Sequence, residues 1–238
     1  MPRMSTSLTS GMSHYRPRVR SAANRPRSPT LAAVRRGFVW GSTLALLSVA
    51  CTGEGAAPTT TPLDGDVEWE QLAQIPTPRT EVTAATLGDS IYVIGGFDAA
   101  GRTVPTVEVY DVEADEWARG PGLPVAVNHA MSAVAEGELY VVGGYLGPLS
   151  DPTTRAFVLG PGGWEELPPM PEPRAAAGAA AVGTEIHVAG GIGPTGLADS
   201  TLVLDVDTRR WRTEPGLLVP REHLGVASFG GQVYAVGG

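Results

Sequence analysis

One interval of 47 or 48 residues runs through most of the chain. Four hydrophobic strands end on paired glycines: SIYVIGG at Gly96, ELYVVGG at Gly144, EIHVAGG at Gly191 and QVYAVGG at Gly238, in steps of 48, 47 and 47 residues. Trp69, Trp117, Trp164 and Trp211 keep the same interval. A Pro-Arg pair keeps it at Pro78-Arg79, Pro173-Arg174 and Pro220-Arg221, with Val127 at the aligned position of the second copy. Three markers with one period establish an internal repeat, which constrains the architecture before any local propensity is weighed.

Each copy holds four short strand signals and no room for a helix. TEVTAATLG, from Thr80, ends in a Gly88-Asp89 turn, and SIYVIGG follows as a β-branched and aromatic run. After the loop FDAAGRTV, TVEVYDV alternates strictly, with Val107 and Val109 on one face and Glu108 and Tyr110 on the other. EADE turns the chain into EWARG, a fourth strand. Four strands per repeat make one blade of a β-propeller. AAAGAAAVG, Ala175 to Gly183, would read as helix by propensity. Its register with TEVTAATLG, HAMSAVAEG and HLGVASFGG makes it an innermost strand, where small side chains suit converging blades. Paired glycines suit a bend where backbones crowd. Each Trp offers an apolar face to wedge between blades and an N–H that needs a partner.

The order of double Gly, then a hydrophobe in VEVYD or TLVLD, then Trp is similar to the kelch repeat. Tyr110 precedes Trp117, Phe157 precedes Trp164 and Leu204 precedes Trp211, each by seven residues. Two of the three third-strand tyrosines are replaced, and the second copy lacks both the Arg and the Asp of YD. The resemblance implies an all-β, kelch-type β-propeller of four-stranded blades, with ligands bound by loops around one mouth of a central channel. In that family an N-terminal strand commonly completes the last blade. DVEWEQLAQIPTPR, Asp66 to Arg79, has the marks of such an orphan fourth strand. Residues 66–238 contain about 3.7 repeats. The last copy stops after its second strand, so the orphan lacks a third strand to pair with. The expectation is an incomplete, open ring belonging to a longer propeller. A four-bladed ring with irregular closure and closure between two copies are the alternatives.

The first 65 residues differ in kind. Residues 1–53 contain eight Arg and no Asp or Glu, so 1–34 reads as a basic disordered leader. Arg35-Arg36 introduce an apolar run ending at Ala50, too short to span a membrane but suited to a signal-peptide core over 35–50. Cys51, the single cysteine, follows directly. LSVAC resembles a bacterial lipobox, although Ser48 stands where Leu is usual. Residues 51–65 then read as a Gly/Pro/Thr linker. The expectation is an exported protein of the bacterial cell envelope, anchored to the membrane by lipid on Cys51. Removing the leader's eight arginines takes the net charge from −8 to −16. Such a surface repels nucleic acid.

No catalytic constellation, cofactor motif or metal site stands out. DVDTRRW and DVEADEW place carboxylates where turns favour them. The candidate ligand-binding residues at the channel mouth are Arg79, Arg174 and Arg221, with His129 and His223. The three arginines fall in the loops between blades, and the family resemblance puts these loops at the mouth. There they would bind carboxylates bidentately, although repeated arginines also serve as inter-blade hydrogen-bond donors. His129 and His223 share one repeat position, two residues after the Arg slot, for which a structural role is expected. Asp98, Arg102 and Tyr145 follow as weaker candidates. The expected function is a binding module for protein or glycan ligands. The alternative is a sugar-active periplasmic enzyme of the sialic-acid (N-acetylneuraminate) epimerase type, which some kelch propellers resemble.

Overall fold

A computed structural model describes residues 15–18, 68–147 and 152–238. Every regular element among them is a strand. None of the described residues forms a helix long and apolar enough to cross a membrane. They divide into two compact units, 15–18 with 68–71, and the described residues from 72 to 238. In the first, Tyr15–Arg18 pairs antiparallel with Glu68–Gln71. Glu68–Gln71, the expected orphan strand, has Tyr15–Arg18 as its sheet partner. The rest of the leader, the 35–50 core, Cys51 and the 51–65 linker lie outside the described residues.

The second unit has four main antiparallel sheets in chain order and two short two-stranded ones, Arg79–Thr80 with Phe97–Asp98 and Ile192–Gly193 with Gly196–Leu197. Sheet I comprises Thr83–Leu87, Ser90–Ile94, Val107–Asp111 and Glu116–Arg119. Sheet II comprises Met131–Ala135, Glu138–Val142, Ala156–Gly160 and Gly163–Glu166. Sheet III comprises Gly178–Val182, Glu185–Ala189, Ser200–Asp205 and Arg210–Pro215. Sheet IV has two strands, Leu224–Phe229 and Gln232–Gly237. Each of the four is a meander in which its own strands pair in chain order, the short strand Phe97–Asp98 interrupting sheet I, and Ile192–Gly193 and Gly196–Leu197 sheet III, between second and third strands. The first strands of sheets I and II, II and III, and III and IV are neighbours. No comparable relation joins sheet IV to sheet I among the described residues, so no closed ring forms there. These are the blades of an open propeller.

Strand alternation here sends successive side chains to different neighbours rather than to core and solvent. In sheet II, Leu139, Val141 and Phe157 pack with Val127 and with Ile94 and Val107 of the preceding repeat. Tyr140, Val142 and Val158 pack instead with Ile186, Leu202 and Leu204 of sheet III. Both faces of sheet II are thus buried, so Leu139, Tyr140, Val141 and Val142 are all enclosed despite their alternation.

AAAGAAAVG does form a strand, Gly178–Val182, against its helical propensity. Crowding explains the choice: a Cβ built on Gly178 would lie 2.3 Å from Val226 Cγ2 in the first strand of sheet IV. The paired glycines obey the same constraint. Gly95, Gly143 and Gly190 have φ of 67, 65 and 68°, and a Cβ there would meet the carbonyl oxygen of Val127, Arg174 or Arg221 at 2.4, 2.2 or 2.6 Å. The second glycine of each pair donates its N–H to that same carbonyl, from Gly96, Gly144 and Gly191, at 2.8 Å in all three. The glycine pair is the point where one blade's backbone is bonded to the next.

Tryptophan forms the second link. Trp117 Nε1 donates to Ala73 O at 2.9 Å, Trp164 Nε1 to Pro121 O at 2.7 Å and Trp211 Nε1 to Pro168 O at 2.8 Å. Trp164 and Trp211 thus reach back across one repeat to the chain leaving the previous sheet's fourth strand, and Trp117 makes the equivalent bond to Ala73. One alignment changes. Tyr110 lies opposite Trp117 and Leu204 opposite Trp211, but Trp164 lies opposite Leu159, not Phe157. In sheet II the connecting turn is Pro161-Gly162, shorter than 112–115 or 206–209, so equal sequence spacing conceals a shift of register.

Candidate functional site

The three arginines share one structural task. Arg79, Arg174 and Arg221 each donate from Nη1 to the carbonyl of the first glycine in the pair that follows, Gly95, Gly190 and Gly237, at 2.6, 2.9 and 2.8 Å. Arg79 also donates to Thr106 O at 3.0 Å and to Val93 O at 3.2 Å. Arg174 repeats the former with Ser200 O at 2.9 Å. The side chains of Arg79 and Arg174 are wholly enclosed, and each has a carboxylate partner, Glu108 and Glu172. Burial pushes the Arg174 guanidinium below its ordinary pKa, against the opposing pull of Glu172. Their donors face the interior of their own blades. The structure therefore removes Arg79 and Arg174 from the group that could meet a ligand. Arg221 is half-buried, and among the described residues no third strand of sheet IV supplies the further carbonyl that Thr106 and Ser200 provide elsewhere.

The position two residues after the Arg slot behaves differently. Glu81, His129, Ala176 and His223 occupy it in the four repeats, and all four have left-handed backbones, with φ of 53, 52, 53 and 49°. That conformation is uncommon outside glycine. A chain of backbone bonds holds it: His129 N donates to Glu81 O at 3.0 Å, Ala176 N to His129 O at 3.0 Å and His223 N to Ala176 O at 2.8 Å. These bonds step from blade to blade along the inner edge and turn the side chains inward. As a result Glu81, His129 and His223 converge, with one donor atom from each lying within 4.8 Å of the others. His129 Nε2 is 3.1 Å from Glu81 Oε2, and His223 Nε2 is 3.9 Å from the same oxygen.

His129 is held firmly. Its Nδ1 lies 2.7 Å from Asn128 Oδ1. Asn128 Nδ2 donates to Thr103 Oγ1 and Gly147 O, both at 2.9 Å, which fixes which end of the amide is oxygen. Phe97 and Tyr145 meet the His129 ring edge-on at centroid distances of 6.0 and 5.5 Å, and His223 does so at 5.1 Å. Burial holds the imidazole below its ordinary pKa, opposed by the Glu81 carboxylate and reinforced by His223. His223 and Glu81 are open to solvent, with side chains 52% and 41% exposed.

The sequence reading found His129 and His223 but missed Glu81. The signal was present: Glu81 follows Arg79 by two residues, as His223 follows Arg221. The weaker candidates separate. Tyr145 lies against His129, and burial raises its phenol pKa. Asp98 instead closes its own loop, accepting from Ala100 N and Arg102 N at 2.9 Å each, with Arg102 as its ion-pair partner. The turn carboxylates act as turns: Asp111 accepts from Glu113 N and Ala114 N, and Asp205 from Thr208 N.

The fold and its repeated links have counterparts among known proteins. The model of the KLHDC2/KLHL20/DRC7 Kelch-repeats domain matches residues 65–238. The kelch-like protein terF of Aspergillus terreus is 36% identical over 111 residues, which cover 42% of this chain and 23% of that protein. Beta-scruin of Limulus polyphemus is 33% identical over 90 residues, covering 37% and 10% respectively. The chain thus spans less than a quarter of the length of these curated relatives. A solved structure, that of YjhT, superposes with a TM-score of 0.62 at 18% identity, covering 71% of this chain and 61% of that one. At that identity the likeness concerns the fold alone. Glycine pairs, tryptophans and buried arginines recur at the repeat interval, and the family model spans all four sheets: the chain belongs to the kelch-repeat family.

Proposed function

We propose that this protein is an exported, membrane-tethered kelch-propeller module that binds a protein or glycan ligand in the cell envelope through the inner mouth of its blades. The observation that carries the reading is the division of labour at the repeat positions. Arg79 and Arg174 are buried, each bonded within its own blade, whereas the Glu81 and His223 side chains, from the first and fourth repeats, are exposed side by side and bond no strand. Loops positioned by a rigid scaffold are where binding residues concentrate. Lipid on Cys51 and the 51–65 linker supply the tether in this reading.

Two measurements test it. In a bacterial host, wild type partitions with membranes and takes up a fatty-acid label, and Cys51→Ser does neither. Equal labelling of the two removes the tether. Envelope extracts and a glycan array are then probed with wild type and with Glu81→Ala/His223→Ala. Retention of a ligand by wild type alone supports binding at the mouth, and equal retention places it elsewhere. Turnover of N-acetylneuraminate by the purified chain would replace the module with the sugar-active enzyme.

A further inference from the structure

We propose that Glu81, His129 and His223 form a divalent transition-metal site at the inner mouth, taking Zn2+ through one carboxylate oxygen and two imidazole Nε2 atoms. The donor set of two His and one carboxylate suits zinc and its neighbours in the first transition row. Around an ion with bonds of about 2.0–2.1 Å, ligand atoms lie about 3.0–3.4 Å apart. His129 Nε2 and Glu81 Oε2 already stand at 3.1 Å. His223 Nε2 is at 3.9 Å from the same oxygen, on a half-exposed side chain with room to turn.

The orientation of the rings is the stronger argument. Asn128 is locked by Thr103 and Gly147 so that its Oδ1 faces His129 Nδ1, at 2.7 Å. The Nδ1–H is therefore donated to Asn128, and Nε2 is the coordinating atom. His223 repeats the pattern with a different partner, its Nδ1 lying 3.3 Å from Glu222 Oε2 and its Nε2 turned towards Glu81. A second-shell oxygen on one ring nitrogen, with the other nitrogen aimed at the ion, is how protein metal sites orient their histidines. Three ligands leave a fourth position on the solvent side, so the ion would hold water or a ligand group there. The site joins the first, second and fourth repeats through their equivalent inner positions. The inference does not rest on export or on any ligand of the mouth.

The test titrates the full chain, stripped with a chelator and dialysed, with ZnCl2 by calorimetry. The expected result is a site of one Zn2+ per chain that is lost, or weakened at least tenfold, in His223→Ala and in Glu81→Gln. Both altered side chains are exposed, so these variants keep the fold, which circular dichroism checks. His14 and Cys51 are present in every variant, so the difference isolates the mouth. Zn2+ is expected to raise the melting temperature of wild type and not that of His223→Ala. Ca2+, an oxygen-seeking ion, is expected to leave it unchanged. Equal zinc stoichiometry and affinity in wild type and His223→Ala would overturn the proposal, as would the absence of binding at millimolar zinc.

Discussion

Arg79 and Glu108 form an enclosed ion pair, Nη2 to Oε2 2.9 Å, at a place where the next repeat carries Val127 and Phe157. Thr77 Oγ1 holds the other carboxylate oxygen at 2.7 Å. The third repeat solves the same position by another route. There the carboxylate comes from Glu172, at the Thr77 position, and Ser200 Oγ bonds Arg174 at 2.8 Å. The second repeat has Val125 at that position and is apolar throughout, with Val127 and Phe157 both in the core. In the first three repeats charge and counter-charge are present together or absent together.

That arrangement yields a stability prediction. Arg79→Val leaves Glu108 buried without its cation and should cost about 3–5 kcal/mol. Adding Thr77→Val and Glu108→Phe copies the apolar solution of the second repeat and should recover more than half of the loss. Urea unfolding of the single and triple variants measures both. A triple variant no more stable than Arg79→Val would show that the bonds to the Gly95, Thr106 and Val93 carbonyls, rather than the ion pair, carry the cost.

The glycine pairs allow a second test, because close approach and backbone conformation can be separated. Gly183 has φ +57° with nothing near a Cβ, whereas Gly143 has φ +65° and a Cβ would lie 2.2 Å from Arg174 O. Gly183→Ala should cost about 1–2 kcal/mol, the penalty of a left-handed backbone. Gly143→Ala should cost distinctly more, since the opposing atom is backbone bonded to Gly144 N. Equal melting temperatures for the two variants would contradict this account.

Much of this was legible in the sequence because the repeat supplied a register that local propensity does not. It made a strand of AAAGAAAVG, and the contact between Gly178 and Val226 shows why small residues are needed there. What the register could not supply was direction and loop length. Arg79 and Arg174 fall in segments the sequence reads as loops, which suggests exposure; Arg79 instead lies in the short strand Arg79–Thr80, and both guanidinium groups turn inward to carbonyls that only the folded blade assembles. Phe157 matches Tyr110 in spacing but not in pairing, because the hairpin of sheet II is shorter. Glu81 was overlooked as a partner of His129 and His223 because the three differ in type and lie in three separate repeats.

The outer surface should respond to acid. Glu165 is held below the usual carboxylate range by Arg209, Glu166 by Arg155 and Glu185 by Arg212. A carboxylate depressed in the folded state contributes stability that is present above its unfolded value, near 4.5, and lost as pH falls through the folded value. The melting temperature should therefore decline as pH drops below about 4.5. Added salt should reduce this dependence, since exposed pairs are screened. A melting temperature flat from pH 5 to 3 would remove these pairs from the stability of the fold.

Sheet IV gives the last prediction. Among the described residues its outer strand, Gln232–Gly237, has one sheet neighbour, Leu224–Phe229, and no strand covers its other edge, the Gly237 carbonyl accepting from Arg221 Nη1. Apolar side chains are exposed beside it: Phe229 is 80% and Val236 70% exposed. An uncovered hydrophobic edge is a template for another chain. The occupant expected in solution is a second copy, because any copy offers the same complementary edge. Light scattering of the described chain should show association that grows with concentration. Phe229→Lys/Val236→Lys should return it to monomer, since lysines on an edge strand oppose pairing. A sharp two-state monomer at high concentration for the unaltered chain would show that this edge is not adhesive.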